Sequence, residues 1–231
     1  MDSYIFDEDL KDKDPEQRRL MEETCILVNE NDEIVGFETK KKCHLLRNIR
    51  KGMLHRAFSV FLFNENGLLL LQKRANEKIT FPGLWTNTCC SHPLYIHLEY
   101  GRTLEESIEG VKRAAQRKLY HELGITANQI PLEKFSYLTK IQYSAQSDEI
   151  WGENEIDYIL FIQANVSLKL NTNEVETARY VRQIDLREML TSKNFKFTPW
   201  FQLICRSFMF FWWDNLNNLS AIKNQHTIIR M

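Results

Sequence analysis

The sequence predicts an α/β (α+β) sandwich: strands with helices between and around them. Three observations carry that expectation. Apolar runs closed by polar turns read as strands, one long amphipathic segment has capping signals at both ends, and no Pro/Gly-rich linker divides the 231 residues. That length supports one sizeable core. Residues 1–23, rich in acids, bases and Gln, form a mobile or helical lead-in, and residues 24–231 a single domain.

The elements follow in chain order. CILVNENDEIVGFETK, from Cys25, reads as a hairpin around a polar NEND turn. AFSVFLFNENGLLLLQKRA repeats the pattern, with Asn66-Gly67 as the turn between two strands. TLEESIEGVKRAAQRKLYHELG is the clearest helix. Thr103 and Glu106 have capping-box spacing, Gly124 closes the end, and Ile108, Val111, Ala115, Leu119 and Leu123 form one apolar face. SYLTKIQYSA, EIDYILFIQANV and ARYVR are strand candidates, and IDLREML a short helix. Thr198 and Pro199 have N-cap and N1 character for a final helix, PWFQLICRSFMFFWWDNL.

Composition excludes several classes. A net charge of −1 gives no global attraction for nucleic acid or an acidic membrane. The longest apolar run, Phe208–Trp213, is too short to cross a bilayer. Five cysteines leave at least one unpaired, and with no apolar signal segment the thiols are expected to be reduced inside a cell. Cys89 and Cys90 are adjacent, closer than ordinary disulfide geometry allows.

The chemistry-bearing residues raise several readings. WTNTCCSHPL places His92 two residues after Cys90, which suits a metal site, a cysteine nucleophile or a tucked-in loop. Glu153 and Glu155 are two apart in WGENEID, so an extended backbone points both carboxylates to one face. Such a pair is costly unless separated by solvent or bridged by a cation. With His44, His55 and His92 they make a mixed N/O set for Zn²⁺, Mn²⁺ or another divalent metal. Each histidine alone reads more readily as a surface or core residue than as a ligand, and no spacing joins 44 to 153. Glu122, in the last turn of the long helix, calls for a cation nearby. Lys112, Arg113, Arg117 and Lys118, with Arg74 and Lys78, suit a diphosphate or are simply solvated helix charges.

MLHRAFSVFLFN, FPGLWTNTCCSHPL, IWGENEIDYIL and the late TPW, in that order, resemble type I isopentenyl-diphosphate isomerases in their eukaryotic form. The resemblance runs from about Cys25 to the C-terminus. It implies a Nudix-like sandwich of mixed β-sheets flanked by helices, with residues 117–124, RKLYHELG, as a degenerate Nudix helix. Lys118 and His121 stand where that pattern has acids, so the helix looks built to bind a diphosphate and leave it intact. The resemblance further implies metal ligands at His44, His55, His92, Glu153 and Glu155, and diphosphate contacts at Lys40, Arg74, Lys78 and Lys118, with Glu122 on Mg²⁺.

The implied reaction moves a double bond, from isopentenyl to dimethylallyl diphosphate, through a tertiary carbocation. By the same resemblance Cys90 serves one face of the alkene and Glu155 with Tyr143 the other, while Trp200 faces the cation. Which group gives the proton stays open in the sequence, and Cys89 receives no role. Three readings rival it: a true Nudix hydrolase, a cysteine hydrolase using Cys90, and a non-catalytic metal-stabilised module. The expected partner is a small diphosphate, with no membrane or nucleic acid, and a monomer is expected. The ending Ile-Arg-Met keeps the last two characters of an S-K-L-like address, which predicts cytosol first and peroxisome second. Fusing the last dozen residues to a fluorescent protein checks this: punctate signal supports import, and a purely diffuse one counts against it.

Overall fold

The structure, a computed structural model, describes residues 8–231; residues 1–7 of the expected lead-in lie outside the described residues. The rest of the lead-in contains helix α1 (Pro15–Leu20). Asp14 caps it by accepting the backbone N–H groups of Glu16 and Gln17, and Pro15 sits where its missing donor costs nothing.

Among the described residues ten strands make up the sheet: β1 (Thr24–Val28), β2 (Ile34–Thr39), β3 (His55–Phe63), β4 (Leu69–Arg74), β5 (Trp85–Thr86), β6 (Cys89–Ser91), β7 (Ser136–Gln146), β8 (Gly152–Gln163), β9 (Val175–Val181) and β10 (Ile228–Arg230). The sheet is mixed, and its main path is β10-β7-β8-β3-β1-β2, with β4, β5, β6 and β9 branching from it. Two short helices, α2 (Lys40–His44) and α3 (Leu46–Ile49), lie between β2 and β3, where the sequence signalled no element. The long helix α4 (Leu104–Leu123) has the predicted capping box at Thr103 and Glu106, and Gly124 closes it in the left-handed region at φ 68°.

β3 and β8 run parallel in unbroken register from His55↔Glu155 to Phe63↔Gln163. Both faces of this pair are covered, which is why β3 reads as a nearly continuous apolar run. On one face Phe58, Val60, Leu62, Tyr158 and Leu160 pack on the α4 side chains Val111, Ala115, Leu119 and Leu123. On the other, Phe61, Phe63, Ile159 and Phe161 meet Trp200, Phe201, Ile204 and Met209. The last group comes from α6 (Pro199–Ile204) and a π-helical turn at Cys205–Met209, which leads into α7 (Phe210–Asp214). α5 (Gln183–Thr191) and α8 (Leu219–Ile222) complete the helices.

Two expectations need correction. The Asn66-Gly67 turn exists, but β3 and β4 pair only at Phe63↔Leu69. The far edge of β3 is already taken by β6 and, at Leu27↔His55, by β1. β4 therefore diverges and pairs with β9 from Leu69↔Val181 to Arg74↔Val175. Thr198 precedes α6, yet its side chain caps nothing; its hydroxyl lies 2.8 Å from that of Thr86.

Gly110 shows how tightly α4 is seated. A Cβ there would fall 2.4 Å from the Glu99 carbonyl oxygen. Glu99 cannot retreat freely, since its carboxylate binds Arg117 at 2.6 and 2.8 Å and accepts the Leu94 backbone N–H. Gly110→Ala is therefore expected to cost a net ~1–2 kcal/mol in urea unfolding, overpacking outweighing the ~1 kcal/mol helix-propensity gain.

Candidate active site

The sheet register assembles the site. His55 on β3 pairs with Glu155 on β8, and Glu155 pairs with Tyr143 on β7, so three functional side chains stand in one row across three strands. Period-two alternation then puts Glu153 on the same face. On the far edge of β3, Ser59 pairs with Cys90 of β6, and alternation brings Cys90 and His92 to that face as well. Cys89 points the other way, into the α4 core. α2 supplies the rest: Lys40 begins it and His44 ends it, one helical turn apart.

His44, His55, His92, Glu153 and Glu155 each offer one ligand atom, and these atoms lie within 4.8 Å of one another. Glu155 Oε1 is 2.7 Å from His92 Nε2 and 3.2 Å from His55 Nε2. His44 Nδ1–H donates to the Lys40 carbonyl at 2.6 Å, which leaves Nε2 as a lone pair aimed inward. That Nε2 and Glu153 Oε2 are 2.8 Å apart, yet both are buried without a hydrogen-bond partner. Two buried groups presenting lone pairs to each other fit a shared cation.

The electrostatics agree. Burial pushes His55 down, but its bond to Glu155 and the charges around it raise it to about 9. Burial pushes Glu155 up, and the His55 and Tyr143 contacts outweigh that, holding it at about 2. The cluster thus draws in positive charge, as a proton on His55 or as a metal in its place.

Around this group a cavity is lined by Lys40, Arg74, Lys78, Thr80, Cys90, Ser91, His92, Tyr143, Glu153, Glu155 and Trp200. Tyr143 donates its hydroxyl to Glu155 Oε2 at 2.5 Å. Burial pushes the Cys90 thiol up to about 12, the nearby Arg74 charge opposing it, so the thiol is neutral at pH 7. Trp200 is fixed by its indole N–H, which donates to Asn87 Oδ1 at 3.2 Å, and by Phe81 edge-on at 5.2 Å. The Arg74 guanidinium donates to the Thr80 and Phe81 carbonyls and sits 5.8 Å from the Trp200 ring.

Of the residues singled out from the sequence, His44 and His55 lie just behind that lining, fully buried. Lys118 and Glu122 lie in an adjoining buried ionic network. There Glu122 accepts from Gln72 at 2.9 Å and stands 3.4 Å from Lys118 Nζ. Lys112 and Arg117 instead pair with Glu109 and Glu99, and Arg113 reaches the Leu98 carbonyl. None of these three lines the cavity. Sequence reasoning missed Thr80 and Ser91 in the lining, and Glu174, which pairs with Lys78 and Lys118. Ser91 had a signal, lying between Cys90 and His92; Glu174 had none.

The chain matches the NUDIX domain family over residues 53–201. It is 58% identical over 223 residues to the isopentenyl-diphosphate delta-isomerase of Gibberella zeae, covering 96% of this chain and 88% of that protein. It is 58% identical to the Schizosaccharomyces pombe protein of that name, covering 95% of each chain. The Bos taurus isopentenyl-diphosphate Delta-isomerase 1 is 54% identical, covering 95% of this chain and 97% of its own. A solved structure from Deinococcus radiodurans shares the fold at a TM-score of 0.53 and 17% identity, over 81% of this chain and all of that one.

Removing one imidazole tests the metal cluster. His55→Ala is expected to lower the tightly held divalent metal of the purified protein about tenfold or more, read by elemental analysis after desalting. An undiminished metal content would show that the ion sits elsewhere.

Proposed function

The chain belongs to the isopentenyl-diphosphate delta-isomerases, within the NUDIX domain family, and from that membership we propose how its residues carry out the reaction. The enzyme interconverts isopentenyl and dimethylallyl diphosphate, supplying isoprenoid and sterol precursors. One observation supports the site assignment above the rest. A neutral Cys90 thiol and the Tyr143–Glu155 pair line one cavity, with β3 lying between the strands that carry them.

In this reading the diphosphate rests against Lys40, Arg74 and Lys78, with Lys118 adding charge, and Glu122 would hold a Mg²⁺ that would neutralise the diphosphate. The arrangement leaves the phosphoanhydride intact, because Lys118 and His121 occupy acid positions of the Nudix pattern. Cys90 Sγ carries one exchangeable proton on one side of the alkene, and the Tyr143–Glu155 pair carries another on the opposite side. One side delivers a proton to the terminal alkene carbon, leaving the tertiary cation, and the other accepts a proton from the methylene on the far side of that cationic carbon; the reverse direction exchanges the two roles. The Trp200 ring stabilises the tertiary cation between them without attacking it. The Trp200 ring, backed edge-on by Phe81, shields that cation from capture by water. His44, His55, His92, Glu153 and Glu155 would hold Zn²⁺ or Mn²⁺, whose charge would fix Glu155 and set its proton affinity.

No helix among the described residues is long and apolar enough to cross a membrane. We place the enzyme, as a monomer, in the cytosol, with the peroxisome as a second address.

Proton NMR with isopentenyl diphosphate and Mg²⁺ in D₂O tests the reaction. Deuterated dimethylallyl diphosphate is the expected product, and Cys90→Ala should slow its formation by about 10²–10⁴-fold. Unchanged substrate with the metal present would overturn the reading, and release of phosphate would favour a hydrolase.

A further inference from the structure

Glu174 is nearly inaccessible, yet its carboxylate meets two of the lysines assigned to the diphosphate. Oε2 accepts a very short hydrogen bond from Lys78 Nζ and lies 3.9 Å from Lys118 Nζ. Oε1 accepts from the side-chain amide of Gln17 at 2.9 Å. The same amide reaches Asn173 Oδ1 and the Asn173 carbonyl, at 2.7 and 3.1 Å, and Asn173 donates back to Asp14, the cap of α1. The Glu174 backbone is held as well, its carbonyl accepting the Ala75 N–H at 3.0 Å.

The placement is asymmetric. Lys78 lines the cavity and Glu174 does not. An anion entering the cavity therefore meets a lysine that is already paired from behind. Gln17, Asn173 and the Ala75 contact hold Glu174 in place, whereas the long Lys78 side chain can swing. Burial, helped by the Arg74 and Lys118 charges, pushes Lys78 down with Glu174 opposing it, and the Lys78 and Lys118 charges outweigh burial to keep Glu174 well below the usual carboxylate range. Glu174 is thus a permanent negative charge at pH 7.

We propose that Glu174 is a built-in competitor for the substrate diphosphate. It holds Lys78 in the free enzyme, yields it to the phosphate on binding, and reclaims it as product leaves. The proposal rests on the diphosphate reading above. Glu174 acts through Lys78, so it is a positioning residue that trades affinity for turnover. Ground-state binding lost in this way costs nothing once substrate is plentiful, while faster release raises kcat. Gln17 keeps the competitor in register, which gives α1 a part in the chemistry of a site it does not touch.

The test compares wild type with Glu174→Gln, which keeps the shape and removes the charge. Wild type is first titrated calorimetrically with inorganic diphosphate and Mg²⁺ and assayed for isomerisation; failure of both would overturn the functional reading itself. With wild type active, Glu174→Gln is expected to bind inorganic diphosphate about tenfold more tightly, with KM and kcat both reduced. A purely structural role would raise KM or leave it alone, and either result overturns the proposal. Should the variant not fold, wild type suffices. Its Gln17 side-chain amide resonance, assigned by its loss in Gln17→Ala, is expected to shift when Mg²⁺ and inorganic diphosphate are added. Binding with no such shift also overturns the proposal.

Discussion

The parallel pairing of β3 with β8 is the constraint on which the rest depends. Its register sets His55 beside Glu155, and the antiparallel β7 extends the row to Tyr143. A slip of one residue would turn His55 and its neighbours to the α4 side and send Phe58, Val60 and Leu62 the other way. The apolar residues that fill the two cores thereby also fix the polar row. Function at the start of the strands is held by packing further along, where Phe61, Phe63 and Phe161 pack beneath the terminal helices.

Charge imposes the second condition. The described cavity and its surroundings bury imidazoles, carboxylates, lysines and an arginine, each expensive to desolvate alone. The chain answers by segregation. Carboxylates and imidazoles converge at one end, in a set of ligand atoms that could hold a cation, and lysines meet Glu122 and Glu174 at the other. Between the two ends lie the neutral thiol of Cys90 and the Trp200 ring, a polarisable stretch suited to transient positive charge. The same segregation explains why Cys90 and Cys89, adjacent in sequence, differ so much: alternation delivers one to the cavity and the other to the core.

Much of this was legible in the sequence, and the limits have physical causes. α4 announced itself through Thr103, Glu106 and Gly124 because caps are local chemistry. Glu153 and Glu155 declared a shared face because strand alternation is local too. The link between His44 and Glu153 is not local: it depends on α2 folding back against the start of β8, and only the family resemblance anticipated it. The β3–β4 turn was correctly placed at Asn66-Gly67, but the competition of β1, β6 and β4 for one edge of β3 leaves no trace in either strand. β10 was missed because three residues pairing in parallel with β7 carry no turn and little periodicity. Glu174 escaped notice because a glutamate in a polar stretch, NTNEVE, looks solvated until Gln17 and Lys78 close over it.

The short helix α2 has a further consequence. Lys40 at its start and His44 at its end tie a cavity-lining lysine to the histidine–carboxylate cluster through one turn, about 6 Å of axial rise. A helix cannot be stretched in small steps: inserting one residue adds ~1.5 Å but also rotates the downstream residues by ~100°. His44 would then point away from its carboxylate partner. The spacer acts as a ruler with a single graduation: the offset and bearing of the two side chains change together or not at all.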